Sequence, residues 1–294
     1  MDTIAPRLPR PTARTVPPGA CDVHTHVFGP LDTYPTGPAT YAIPLAPPAV
    51  YRQMLDAVGL SRGVLIQPAP YGTDTRALVK ALATLGDRVR GIAVAKPDIT
   101  DAGLDALHEA GVRGLRFIEM RDPSTGQPYK GSIGVDSLRE LAPRLRERGW
   151  HAHIWAKAAD CPLLQAQIAP LGVPVVFDHM GQFDTAAGVQ APAFQAFLAL
   201  LEHEDVWVKL SLCRVSRQAP AYTEVEPFHR ALVARRPERL LWGSDWPFVR
   251  MAEASPDVGE LLDVFLGWVD DPAVARQILV DNPAHLFDFP PQEL

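Results

Sequence analysis

Short apolar runs recur along the chain at near-regular intervals, and stretches of helical period separate them. The runs are CDVHTHV (21–27), GVLIQP (63–68), GIAVA (91–95), GLRFIE (114–119), HAHIWAK (151–157), PVVFDHMG (174–181), VWVKLSL (206–212) and LLWGSDWP (240–247). Their β-branched and aromatic content, bounded by Gly and Pro, predicts eight strands. Between them, stretches such as PAVYRQMLDAVGL, DTRALVKALATLG, TDAGLDALHEAG, GVDSLRELAPRLRERG and APAFQAFLALLEHED space apolar residues three and four apart, as a helix with one buried face requires. Strand and helix alternating eight times predicts an α/β protein, a (β/α)8 barrel in one domain over residues 21–294. A doubly wound open sheet is the competing architecture, but no GxGxxG turn follows the first strand. The Pro-rich residues 1–20 are expected to form an arm that wraps the surface or stays mobile, and YPTGPATYAIPLAPPAV (34–50) reads as a long loop after strand 1.

Alternation along a strand puts His24 and His26 on one face, with Val23, Thr25 and Val27 on the other. Taken alone, such a pair fits two hydrogen-bonded core histidines as well as a site. The barrel changes the balance, because the carboxyl ends of its strands meet at one rim, where active sites lie. That rim collects His24 and His26, Arg116 and Glu119, His179, Arg214 and Asp245. Each is expensive to bury unpaired, so their convergence points to chemistry rather than packing. For Arg116 the competing reading is an ion pair, with Glu119 or another carboxylate. The remaining histidines read differently: His108 and His203 as surface residues on helices, His229 and His285 as helix caps or core contacts, and His151 as strand packing.

Composition removes several function classes. A formal net charge of −6 over 294 residues argues against a nucleic-acid surface. No apolar run approaches the roughly 20 residues of a membrane span, and the opening MDTIAPRLPRPTARTVPPGA has no apolar core of a secretory signal. Cys21, Cys161 and Cys213 stand alone, without disulfide or zinc-finger spacing, so a cytoplasmic location is expected. Neither a monomer nor a homo-oligomer is excluded.

DVHTHVFG at the first strand, FDHMG at the sixth and WGSDWP at the eighth, in that order, resemble the amidohydrolase superfamily. More narrowly they resemble the 2-pyrone-4,6-dicarboxylate lactonase-like hydrolases of its amidohydrolase-2 branch. DNPAHLF near the end resembles the family's closing helix. The resemblance implies a barrel with its site at the rim and hydrolysis of a ring ester that carries acidic groups. It matches His24 and His26 to the family's HxH pair, His179 to its strand-6 histidine and Asp245 to its strand-8 aspartate. Tyr41 and Arg116 match groups that hold substrate carboxylates, with Arg121 and Arg214 further candidates and Trp155 also lining the pocket. Three positions depart from the pattern: Ala69 replaces a serine, Gln182 an arginine, and Trp155 stands near an expected tyrosine.

Opening a lactone needs an activated water, a stabilised oxyanion and a protonated leaving oxygen. Asp245 is the expected base, the three imidazoles the expected donors, and the arginines the expected grip on an anionic lactone. A single divalent metal such as Zn²⁺, held among His24, His26, His153, His179 and Asp245, is the alternative use of these side chains. The resemblance implies a further ligand near the end of strand 5 in the family's metal-dependent members; that place falls here on Trp155, with His153 about 6–7 Å deeper along the strand, so the expectation is no metal. The competing functions are a metal-dependent decarboxylase or hydratase, a lactone isomerase, and an inactive or sugar-binding barrel.

Overall fold

The computed structural model describes residues 5–37, 41–251 and 254–290. Eight parallel strands lie side by side in chain order: β1 (Cys21–Thr25), β2 (Arg62–Ile66), β3 (Val89–Ala93), β4 (Val112–Ile118), β5 (His151–Trp155), β6 (Val175–Phe177), β7 (Val206–Leu210) and β8 (Leu240–Trp242). Helices α1 (Pro48–Ala57), α2 (Arg76–Leu85), α3 (Asp101–Glu109), α4 (Leu138–Glu147), α5 (Cys161–Ile168), α6 (Pro192–Ala199), α7 (Glu226–Arg235) and α8 (Val258–Trp268) follow them in turn. The chain is a (β/α)8 barrel.

The strands are buried on both faces, which is why their sequences are apolar runs rather than clean alternations. Leu115, Phe117, Ile154, Phe177, Val208 and Trp242 face outward into the core shared with the helices, while Val23, Val64, Ile92, Val176, Trp207 and Leu241 fill the inside, floored by Phe287 and Phe289. Each such large side chain stabilises the fold by about 1.5–3 kcal/mol on burial.

The ring nearly closes just beyond β8. Asp245 N donates to His24 O and His26 N to Trp246 O, both at 2.8 Å. Gly243 permits this approach, because a Cβ there would lie 2.8 Å from that of His24. β6 and β8 are shorter than their apolar runs suggest. The chain leaves β6 through His179 (φ 53°) and Met180 (φ 55°), and after β8 it reaches Asp245 at φ 68°. Left-handed backbone at a non-glycine residue costs on the order of 1–3 kcal/mol, and here His179 and Asp245 at the rim both adopt it.

β1 departs from strict alternation as well. A register irregularity between Asp22 and Thr25 lets Val23 join the inner apolar cluster while His24 still reaches the rim acids. The N-terminal arm lies along α8: Arg10 N donates to Asp257 Oδ2 (2.9 Å), and Ala13 N and Arg14 N donate to the Asp263 carboxylate (3.0 and 2.9 Å). Among the described residues no helix is long and apolar enough to cross a membrane.

Candidate active site

At the carboxyl rim the side chains meet in a pocket of about 490 Å³, counting its open mouth. His26, Tyr41, Arg116, Trp155, His179, Arg214 and Asp245 all line it. Asp245 stands at the centre. Its Oδ1 lies 3.4 Å from His24 Nε2 and 3.3 Å from His26 Nε2, and its Oδ2 accepts from Arg214 Nε. Burial alone would raise its pKa, but the Arg214 guanidinium and His179 hold it well below the ordinary carboxylate range. It is an ionised acid in an apolar barrel, held there by the Arg214 guanidinium.

A second carboxylate sits beneath it. Asp178, fully buried, has its Oδ1 3.0 Å from Lys209 Nζ and 3.3 Å from His24 Nδ1, with Arg116 Nε 3.8 Å from Oδ2. Burial pushes its pKa up, but the Lys209 ammonium beside it outweighs this and leaves it well below the usual range. Lys209 projects from β7 and is fully buried; its Nζ also lies 3.1 Å from His24 Nδ1. His179, its ring centred 4.5 Å from that of His24, is pulled down to about 4 by burial, against the pull of Asp245 and Asp178.

Arg116 does not pair with Glu119, whose Oε1 accepts from Val135 N at 2.5 Å. Its guanidinium donates to Gln67 O (3.3 Å) and lies 5.6 Å from the centre of the Trp155 ring. Trp155 stacks on Tyr129 and donates to Gln182 Oε1 at 2.5 Å, so the ring stands upright as a wall of the pocket. Tyr41, reached through the long loop after β1, has its pKa pushed up to about 12 by burial. Arg121 is not brought to the site: it is exposed and donates to Gly126 O at 3.3 Å. Arg250 lines the pocket instead, donating to Tyr129 OH (2.8 Å) beneath the Tyr41 ring.

Asp178, Lys209 and Arg250 went unread in the sequence. The first two had a signal, a charged residue inside the apolar runs VVFDHM and VWVKLSL, where burial demands a partner. Arg250 had none, since it follows β8 in irregular chain.

His153 is turned from the site toward the floor, its Nε2 2.8 Å from His151 Nδ1. Among the described residues, two trios could gather around a cation, His24 with His26 and Asp245, and His24 with Asp178 and His179, the donor atoms of each within 4.8 Å of one another. Both need His24, the first through Nε2 and the second through Nδ1. The Lys209 ammonium stands at His24 Nδ1, on the side of the second trio, and Lys209, Arg116 and Arg214 face the two carboxylates.

A parallel eight-stranded barrel with histidines and an aspartate at its carboxyl rim defines a class of barrel enzymes built like the amidohydrolases. The chain belongs to that family: the Amidohydrolase model of the Amidohydro_2 type matches residues 21–289. A 2-pyrone-4,6-dicarboxylate hydrolase of Comamonas testosteroni is 38% identical over 283 residues, 92% of this chain and 91% of the relative. A 4-sulfomuconolactone hydrolase of Rhizobium radiobacter is 35% identical, covering 94% of this chain and 92% of its own. A crystal structure from Pseudomonas putida, assigned as a 2-pyrone-4,6-dicarboxylic acid hydrolase, superposes with a TM-score of 0.80 at 31% identity over 94% of this chain and all of that one.

Proposed function

We propose that this enzyme hydrolyses the ring ester of an anionic lactone, one bearing a carboxylate or sulfonate, without a metal ion. The observation that carries the reading is the position of Asp245, an ionised carboxylate within 3.4 Å of two imidazoles and bound to an arginine that itself lines the pocket. Hydrolases of two anionic lactones among the relatives support it.

In this reading Asp245 removes a proton from water as the oxygen attacks the lactone carbonyl carbon. The charge that develops on the carbonyl oxygen meets donors from His24 and His179, and the ring C–O bond then breaks. Asp245 returns the proton to the departing ring oxygen, so proton and electron pair balance within the site. His26 Nδ1 donates to Ile66 O at 2.7 Å, so its Nε2 carries a lone pair in the neutral ring and donates only after taking a proton. Arg116 grips the acid group of the substrate, with Tyr41 and Trp155 as walls. Arg214 is shared: an anion that draws its guanidinium away from Asp245 raises the basicity of that carboxylate once substrate is bound.

The test is a panel of lactones with and without acid groups, followed by proton release and by CO₂ release, with zinc content and chelator treatment in parallel. Ring opening of the anionic members, no CO₂ and indifference to chelator are the expected results. CO₂ release, or stoichiometric zinc whose removal abolishes turnover, overturns the reading.

A further inference from the structure

Lys209 is the buried charge that the hydrolytic scheme leaves without a task. It stands on β7 with no solvent exposure, 3.0 Å from Asp178 Oδ1 and 3.1 Å from His24 Nδ1. Burial pulls its pKa down and Asp178 pulls it back. An ammonium has three donors and no acceptor. His24 Nδ1, facing that ammonium, has to accept. An imidazole that accepts at one nitrogen carries its single proton on the other.

We propose that Lys209 is a positioning residue that fixes His24 in its Nε2–H tautomer. The ring then presents a hydrogen-bond donor, not a lone pair, to the reacting centre. His24 Nε2 has no hydrogen-bond partner of its own among the described residues and lies 3.4 Å from Asp245 Oδ1, so the proton it carries faces the carboxylate that lines the pocket. The two histidines of the β1 pair thereby hold opposite tautomers. The Ile66 carbonyl puts the proton of His26 on Nδ1, whereas Lys209 puts that of His24 on Nε2.

A competing state exists in the same geometry. His24 Nδ1 lies 3.3 Å from Asp178 Oδ1, and without Lys209 it would donate there. The Nε2 lone pairs of His24 and His26 would then face Asp245 Oδ1 together, a three-ligand set for a divalent cation. Lys209 thus decides between an oxyanion donor and a metal ligand. The catalytic half of this inference rests on the lactone reading, whereas the tautomer does not.

The decisive measurement is a long-range ¹H–¹⁵N correlation spectrum of protein labelled at its nine histidines, with His24 assigned from a His24→Gln sample. The expected wild-type pattern is a neutral ring protonated at Nε2, changing to Nδ1–H in Lys209→Met. A wild-type ring protonated at Nδ1, or an unchanged pattern in the variant, overturns the proposal, and the wild-type spectrum decides even if the variant fails to fold. Two further readouts sharpen it. Lys209→Met is expected to lower kcat roughly 10²–10³-fold, as for a lost oxyanion donor, with KM within about threefold. It is also expected to bind zinc at least about tenfold more tightly than wild type by calorimetry, and equal affinity overturns the tautomer switch. If no lactone is turned over by the wild type, the lactone reading falls while the spectrum still decides the tautomer.

Discussion

The barrel carries a buried His-x-His pair at each end of its interior, His24 and His26 on β1 at the rim and His151 and His153 on β5 toward the floor. Arginines accompany both. At the floor His153 Nε2 meets His151 Nδ1 at 2.8 Å, His151 Nε2 meets Leu286 O at 3.2 Å, and Phe287 packs edge-on against His151. Arg62 and Arg90 lie over Phe289, 5.1 and 4.8 Å from its centre, and donate to the carbonyls of Pro290 and Asp288. At the rim the same residue types face Asp178, Asp245 and an open pocket. Backbone carbonyls and aromatic faces satisfy a polar group without leaving it reactive. Buried carboxylates leave charge for a substrate to engage.

The difference is open to attack, most forcefully at Asp245. Asp245→Asn removes the carboxylate that both histidines of the rim pair share; kcat is expected to fall roughly 10²–10⁴-fold, with circular dichroism unchanged. Near wild-type turnover would remove Asp245 as the base. Next, Arg116→Met is expected to cost anionic lactones about 10- to 100-fold in kcat/KM, the worth of a charged hydrogen bond, and an uncharged lactone little. Arg90→Met at the floor should lower the melting temperature and spare both substrates. An equal loss on both substrates in Arg116→Met would make that residue structural too.

The pH profile gives a smaller effect. Burial raises the Asp245 pKa and Arg214 lowers it, with the net result well below the usual range. Removing the guanidinium in Arg214→Gln therefore raises it. Because the base acts ionised, the acid limb of kcat/KM for an uncharged lactone is expected to move to higher pH, by about one unit. An unmoved limb would detach Arg214 from Asp245. The smallest effect on catalysis belongs to His153→Leu, which leaves His151 Nδ1 unpaired. It is expected to cost about 1–3 kcal/mol of stability by urea unfolding and to change kcat less than about threefold. A large loss of turnover there would erase the distinction between the two pairs.

The barrel was legible because all eight strands are buried apolar runs divided by helical periods, and periodicity reports burial directly. His24, His26, His179 and Asp245 were legible as a set because strand ends in a barrel converge. The local geometry that aims them was not. Apolar content carries DHMG and SDWP onward as strand, whereas His179 and Asp245 adopt left-handed backbone that hydrophobicity does not encode. Arg121 was expected at the pocket and Arg250 was passed over for a related reason: both lie in irregular segments, where no period relates position to direction. Lys209 is the more instructive omission, since a lysine inside VWVKLSL has to be paired, and the search for its acid leads to Asp178 and so to His24.

The arm along α8 bears on the order of events during synthesis. Ala13 and Arg14 wait for Asp263, about 250 residues later in the chain, before their amides find an acceptor. This segment is made before its acceptor and settles only after it. Closing so long a loop is a slow step, so the nascent chain carries residues 10–14 unlatched until the eighth helix has emerged.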